Sequence, residues 1–150
     1  MREEFVFQGW RRADGRMGIR NHCLVLATVA CAAGVVREVG RRLPAVVAVE
    51  HAHGCGRGGP DLGLQIKTLA GLVQNPNVGA VVLVGLGCEV VSARLLKGTL
   101  ARSGKPMETV VIQQAGGSSR AADQAEALAA GGLVGVGAVD RQARGQRRGL

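Results

Sequence analysis

Two histidines, one thiol and four glycines lie together in residues 50–59, EHAHGCGRGG, directly after the apolar run of residues 46–49. Two other apolar runs also finish at a cysteine: residues 24–30 precede Cys31, and residues 78–87 precede Cys88 and Glu89. Thiolate, imidazole and carboxylate groups bind metal ions and transfer protons in enzymes. These residue types therefore predict metal-binding or acid–base chemistry, on the condition that the three segments meet in the folded chain.

The apolar runs themselves are typical of strands covered on both faces, since each is short and continuously apolar. Residues 109–112 form a fourth run of this kind, and residues 131–139 are a candidate for a fifth. Segments with apolar residues at helical spacing separate the runs. The alternation predicts an α/β fold, a Rossmann-like three-layer domain with a parallel sheet of four to five strands.

The pattern divides the chain into three regions. Residues 1–21 are predicted to form an N-terminal arm with a hairpin, because Asp14-Gly15 is a turn dipeptide. Residues 22–139 are the α/β domain, in which a helix at residues 89–102 is expected to face the core with Val90, Leu95, Leu96 and Leu100. Residues 140–150 have no apolar periodicity and are predicted to be a basic, disordered tail.

The residues that could do chemistry follow the predicted strands. Ligands bind to parallel sheets in the crevice at the carboxyl ends of the strands. The polar residues at those ends are Cys31, His51, His53, Cys55, Cys88, Glu89, Gln113 and Gln114. The strand order is not readable from the sequence, so the number of these residues that share one crevice stays open.

Each candidate also has a structural interpretation. A cysteine at a strand end is often a small buried apolar residue, and Cys23, at the start of its strand, is interpreted in this way. His51 and His53 alternate, so an extended segment would point them to opposite sides. Glu89 is favoured at a helix N-terminus by the helix dipole, or else it is a metal ligand or proton acceptor.

The glycine turns are candidate anion sites. Gly54, Gly56 and Gly59 match G-x-G-x-x-G, but the motif follows the second strand rather than the first, which disfavours a dinucleotide site. Glycines there let backbone N–H groups approach an anion or a metal-bound substrate. Gly116-Gly117 before a helix is either a similar anion site or an ordinary tight turn.

Composition and charge narrow the class of protein. The net charge of +8 is typical of a nucleic-acid-binding protein, but half of it comes from four arginines in the last ten residues, so nucleic-acid binding is disfavoured. No apolar window approaches about 18 residues, so no membrane span is predicted. The four cysteines without an export signal indicate a cytoplasmic protein.

Several motifs together resemble the altronate/galactarate dehydratase family, which includes the large subunit of sulfolactate sulfo-lyase. The matching segments, in order, are GWRRADGRMGIRNHCLVLATVACAAG, HGCGRGG, NPNVGAVVLVGLGCE and GKPMETVVIQQAGGS. The resemblance implies a hydro-lyase that removes water from a sugar acid to give a 2-keto-3-deoxy acid. It further implies a divalent metal, with iron(II) expected and manganese as the alternative.

The resemblance also implies site residues, each at a position that matches a family motif. Expected for catalysis are His53 and Glu89, and for metal binding Cys31, Cys55 and Cys88. Expected for substrate binding are Arg16, Arg20, Asn21, Gly54, Gly56, Gln113, Gly116 and Gly117. Spacing alone does not separate a metal ligand from a catalytic base.

The chain departs from the family in length. Catalytic chains of the family continue well beyond the Gly-Gly-Ser turn, and many carry or receive a small N-terminal domain. We therefore expect a truncated or frameshifted fragment that is inactive alone, with a small N-terminal-type subunit and further copies of the chain as partners. The alternatives are a carbon–sulfur lyase acting on sulfolactate and a non-catalytic partner-binding module.

Overall fold

The structure, a computed structural model, describes residues 4–56, 58–135 and 143–146. Its strands are β1 (Glu4–Phe7), β2 (Trp10–Arg11), β3 (Met17–Gly18), β4 (His22–Ala27), β5 (Val47–Val49), β6 (Val78–Gly85), β7 (Met107–Val111) and β8 (Ala143–Gln146). Its α-helices are α1 (Ala33–Arg42), α2 (Gly59–Gln74), α3 (Ala93–Thr99), α4 (Ile112–Ala115) and α5 (Ser118–Gly135), with 3₁₀ turns at Ala30–Ala32 and Ala101–Ser103.

A four-stranded parallel sheet with the order β5-β4-β6-β7 forms the centre of the described residues. The chain leaves β4 toward β5 on one side and then crosses to β6 on the other side. The direction of winding therefore changes between β4 and β6, and their carboxyl ends flank the crevice where doubly wound sheets bind ligands. The predicted α/β fold is confirmed.

Helices cover both faces of this sheet. On one face α1 and α5 pack against Val25 and Val82, and on the other α2 and α3 pack against Leu26 and Leu83. Every residue of β6 is buried, which explains why its sequence is a continuous apolar run rather than an alternating one. None of the described helices combines the length and the apolar character that a membrane-spanning segment requires.

Helix α5 corrects the prediction of a fifth strand. Residues 131–135, expected to be extended, continue α5 to Gly135, and residues 136–139 lie outside the described part of the chain. The helix packs closely on the sheet through small residues, with Ala121, Ala125 and Ala129 fully buried. The Cys23 side chain is buried in the same layer, where burial raises the pKa of its thiol, in agreement with its structural interpretation.

Helix α3 is shorter than predicted and faces the core differently. It begins at Ala93, where the Ser92 hydroxyl accepts a hydrogen bond from the Leu95 N–H at 3.1 Å. Residues 86–91 form a loop instead of the first helical turns, so Val90 is 58% exposed and Leu95 48% exposed. Their inward prediction is wrong, whereas that for Leu96 and Leu100 is confirmed.

The N-terminal region forms two antiparallel pairs. Strands β2 and β3 form the predicted hairpin, in which Gly15 has a φ of +81° in the turn. Strand β1 pairs with β8, whose residues belong to the segment expected to be a disordered tail. Backbone pairing requires no apolar periodicity, so the sequence pattern carried no signal for this strand. The remaining tail residues lie outside the described ranges.

The arm docks on the carbonyl groups at the end of α2. The Arg12 guanidinium donates to Pro76 O at 2.6 Å and Arg16 donates to Gln74 O at 2.8 Å. The Lys105 amine donates to the carbonyls of Val73 and Asn75 at 2.7 and 2.6 Å. Cations are favoured at a helix C-terminus, where the last carbonyls have no partner within the helix.

The stability of the folded chain should depend on pH through Lys105. Burial, followed by the charges of Arg12 and Arg16, lowers the pKa of Lys105 from its usual 10.5 to about 8. Between these two values the unfolded chain binds more protons than the folded one, so the free energy of unfolding rises with pH. The penalty for the buried charge is thus present in full below pH 8 and is relieved toward pH 10.5.

Guanidinium unfolding of the wild type and of Lys105→Met from pH 7 to pH 10.5 checks this expectation. The variant has no amine to titrate, so subtracting its curve removes the contribution of the cysteines. A difference that is flat, or that falls with pH, would show that the Lys105 charge is not strained in the folded state.

Candidate active site

The carboxyl ends of β4 and β6 are joined by a buried polar contact. Thr28 and Glu89 are both buried, and the Thr28 hydroxyl lies 3.2 Å from Glu89 Oε1 and 3.4 Å from Val84 O. The other carboxylate oxygen, Oε2, accepts from the backbone N–H groups of Leu86 and Gly87 at 3.1 and 2.6 Å. The Glu89 carboxylate therefore fixes the loop that carries Cys88.

Glycine at position 85 makes room for this carboxylate. A Cβ added to Gly85 would overlap Glu89 Oε1 and would approach the Thr28 hydroxyl to 3.1 Å. The last residue of β6 therefore has to lack a side chain if Glu89 is to be buried beside it. The buried position of the Glu89 carboxylate therefore depends on glycine at position 85.

The glycine-rich loop after β5 is held against the end of β4. Ala30 N–H donates to His53 O at 2.7 Å, and Gln65 Nε2 of α2 donates to Thr28 O at 3.1 Å. Gly54 lies between these segments, where an added Cβ would reach Val29 at 3.0 Å and its φ is +120°. Only glycine meets both conditions, so residues 53–55 are fixed beside residues 28–31.

His51 has a structural role in this loop. Its Nε2 lies 3.0 Å from Ala27 O, and its Nδ1 accepts from the His53 N–H at 3.2 Å. Since a carbonyl only accepts, the ring hydrogen is assigned to Nε2. Both ring nitrogens are then used within the protein.

The two histidine rings lie on the same side of the loop, which corrects the expectation that they point to opposite sides. Their centroids are 6.3 Å apart, and both rings line a cavity of about 380 Å³ against α2. Strand β5 ends at Val49, so residues 51–53 are not extended and their side chains do not alternate. The remaining lining residues are Val49, Leu64, Gln65, Thr68, Leu69 and Leu72.

Three thiols converge at the carboxyl edge of the sheet. Cys31 lies in the 3₁₀ turn after β4, Cys55 in the loop after β5 and Cys88 in the loop after β6, and all three are exposed and free. The pKa of the Cys55 thiol is raised, first by partial desolvation, then by the charge of Cys31 and a hydrogen bond with it, and further by the charges of Cys88 and Glu89. The Cys55 thiol is therefore close to the other groups of this edge, as the sequence-based hypothesis requires.

The arrangement does not fit a divalent metal. Within residues 4–56, 58–135 and 143–146, no three His, Cys, Asp or Glu side chains form a group that could hold one. The Glu89 carboxylate already accepts hydrogen bonds from two N–H groups and lies beside the Thr28 hydroxyl. The requirement for iron(II) or manganese stays a prediction, and no chemical step is assigned to a metal here.

The predicted substrate residues after β7 are nearby but have structural explanations. Gln113 N–H donates to Leu86 O at 3.1 Å, which ties the end of β7 to the Cys88 loop. Gly116, with a φ of +83°, ends α4 in the left-handed conformation, and Gly117 N–H donates to Ile112 O at 3.0 Å. The tight-turn interpretation of Gly116-Gly117 accounts for these contacts.

The structure does not bring the arm residues to this edge. Asn21 Oδ1 accepts from Arg12, Arg16 pairs with Asp14, and Arg20 is exposed near Asn77. These residues lie at the amino ends of β4 and β6, where His22 N–H donates to Asn77 O. A strand as long as β6 spans about 26 Å, so Arg16, Arg20 and Asn21 are separated from the thiols.

Two residues of the site, Thr28 and Gln65, were not predicted from the sequence. Thr28 is the single polar residue in the run LVLATVA, and Gln65 is 7% exposed on a helix whose buried residues include Leu69 and Val73. A polar side chain within an apolar pattern was the available signal for both. Gln65 Oε1 is also buried without a hydrogen-bond partner.

Comparisons with known proteins agree on one family. Residues 9–136 match the family model described as D-galactarate dehydratase/altronate hydrolase, second domain. The (2R)-sulfolactate sulfo-lyase subunit beta of Chromohalobacter salexigens is 36% identical over 111 residues, 74% of this chain and 28% of that protein. No solved structure matches the chain.

Two dehydratases of Escherichia coli are similarly related. Altronate dehydratase is 36% identical over 92 residues, which are 55% of this chain and 19% of the enzyme. Galactarate dehydratase (L-threo-forming) is 35% identical over 125 residues, which are 73% of this chain and 24% of the enzyme. The chain thus spans between about a fifth and just over a quarter of the length of these relatives.

The pairing of Gly85 with Glu89 can be tested by a double-mutant cycle. Gly85→Ala should lower the free energy of unfolding by about 2 kcal/mol, since the methyl group displaces the carboxylate. Glu89→Ala should also destabilise, by about 1–3 kcal/mol, because Leu86 and Gly87 lose their acceptor. In the Glu89→Ala background the Gly85→Ala penalty should fall, because the overlapping oxygen is absent.

Urea unfolding of the four proteins measures the coupling. Gly71→Ala is the matched control: its added Cβ meets open space in α2, so it should stabilise by about 0.5–1 kcal/mol. Strictly additive effects of Gly85→Ala and Glu89→Ala would show that the carboxylate is not packed against position 85.

Proposed function

Because the chain belongs to the D-galactarate dehydratase/altronate hydrolase family, we propose that it acts in a sugar-acid dehydratase. The proposed substrates are acids such as altronate and galactarate, and the proposed product is a 2-keto-3-deoxy acid. The names of the two dehydratase relatives support this substrate class. The observation that carries the proposal is the convergence of three thiols at the β4–β6 crevice.

The groups at this edge suit the chemistry of dehydration. Loss of water from a β-hydroxy acid requires a base at the carbon next to the carboxylate and an acid at the leaving hydroxyl. The raised pKa of Cys55 keeps its thiol protonated at neutral pH, which suits the acid. His53, exposed on the same loop, is the proposed base.

Glu89 receives a different role in this proposal. Its carboxylate is buried and directed at the Leu86 and Gly87 amides and at Thr28, which supports a role within the protein rather than at the substrate. We assign it as a positioning residue for the loop that carries Cys88. In this proposal the backbone N–H groups of Gly54 and Gly56 bind the carboxylate of the substrate.

A carbon–sulfur lyase acting on sulfolactate is the second candidate. The relative named as sulfolactate sulfo-lyase subunit beta matches 74% of this chain. Sulfolactate and the sugar acids share a 2-hydroxy acid group, and the leaving group differs. The word subunit in that name also supports a partner subunit for this chain.

Binding of a sugar acid should perturb the carboxyl edge of the sheet. In a titration with galactarate or altronate followed by amide NMR, we expect shift changes at residues 53–56 and 86–88. Cys55→Ser and His53→Ala should each weaken binding by about tenfold, roughly 1.4 kcal/mol. Arg20→Ala, exposed at the opposite edge, should bind as the wild type does.

The outcome separates the candidate functions. Shift changes confined to the arm, or none with any acid, would contradict a substrate site at the thiols and would favour a partner-binding module. Assays of the purified chain for a 2-keto acid from altronate or galactarate, and for sulfite from sulfolactate, distinguish the two lyases. Metal analysis of the same sample checks the predicted iron or manganese.

A further inference from the structure

The thiols at the carboxyl edge are placed for a reaction with each other. Cys31 and Cys55 are free and exposed, Cys31 in the 3₁₀ turn after β4 and Cys55 in the loop after β5. Two accessible thiols in contact can be linked by oxidation.

The backbone around the two cysteines is fixed independently of the sulfur atoms. The residue before Cys31 donates its N–H to His53 O at 2.7 Å, and a Cβ on Gly54 would touch Val29 Cα at 3.0 Å. Residues 29–31 and 53–55 therefore run side by side. A bond between the sulfur atoms would therefore join segments that are already in contact.

We propose that Cys31 and Cys55 form a reversible disulfide, which makes this edge of the sheet a dithiol site for oxidants of the peroxide class. The two thiols together lose two protons and two electrons, and a sulfur–sulfur bond forms. Hydrogen peroxide accepts the protons and electrons as its oxygen–oxygen bond breaks, and two water molecules leave. A dithiol reductant reverses the reaction by thiol–disulfide exchange.

The other two cysteines are less suited to this pairing. Cys23 is buried under α5 at the start of β4, whereas Cys31 follows the other end of the same strand. Cys88 lies in the loop that Glu89 holds to the end of β6, whereas Cys31 follows the residue that is hydrogen-bonded to His53, two positions before Cys55. The pairing of Cys31 with Cys55 is thus favoured among the cysteines of the chain.

The disulfide can be detected without any assay of activity. Treatment of the purified chain with hydrogen peroxide or diamide should remove two of the four free thiols and the mass of two hydrogen atoms. Trypsin digestion without reductant should link the peptide of residues 21–37 to that of residues 43–57. Closing the chain between positions 31 and 55 should also raise the unfolding temperature by roughly 10 °C.

Cysteine variants provide matched controls. Cys31→Ser and Cys55→Ser should each abolish the linked peptide, whereas Cys88→Ser and Cys23→Ala should retain it. Phenylarsine oxide, which bridges neighbouring thiols, should bind the reduced wild type and Cys88→Ser but neither of the first two variants. This second measurement does not depend on oxidation.

Three results would overturn the proposal. They are four thiols that survive the oxidant, a linked peptide that contains Cys88, and a crosslink between molecules that disappears on dilution. None of these outcomes bears on the proposed dehydratase function, because a sugar acid can bind the reduced chain whether or not the thiols oxidise.

Discussion

The buried carboxylate of Glu89 is the constraint on which the carboxyl edge of the sheet depends. A charge in a protein interior is tolerated when donors surround it, and this one meets two backbone N–H groups and a hydroxyl. The Thr28 contact joins the ends of β4 and β6, where the winding of the sheet reverses. Gly85 has no side chain because the carboxylate fills that space. The position of the Cys88 loop follows from these contacts.

The two edges of the sheet have different tasks. At the amino edge, Arg12 and Arg16 of the arm and Lys105 donate to carbonyls at the end of α2 and just beyond it. At the carboxyl edge, glycine-rich loops present thiols and an imidazole to solvent. These three cations are thus separated from the thiols by about the length of a strand. A site for a sugar acid at the thiols has to rely on backbone N–H groups more than on these arginines.

The backbone contacts at the carboxyl edge of the sheet hold the thiols in place but do not select one reaction for them. The hydrogen bonds of Ala30 with His53 and of Gln65 with Thr28 hold these segments together without the sulfur atoms. Protonated, the thiols can serve acid–base chemistry, and oxidised they can form a crosslink.

The sequence by itself determined the layers of the fold and the edge at which the site lies. Continuous apolar runs such as β6 and the periodic helices between them specify a covered parallel sheet, because burial on both faces leaves no other pattern. The sequence also placed Cys31, Cys55 and Cys88 at strand ends. It could not show that the Glu89 carboxylate accepts hydrogen bonds from the Leu86 and Gly87 amides, that both histidine rings share one side, or that Arg16 lies far from the thiols. Those outcomes depend on strand order and on contacts between residues distant along the chain, such as Thr28 with Glu89. Tertiary structure alone decides them, because a hydrogen bond across two strands leaves no periodic signal in either one.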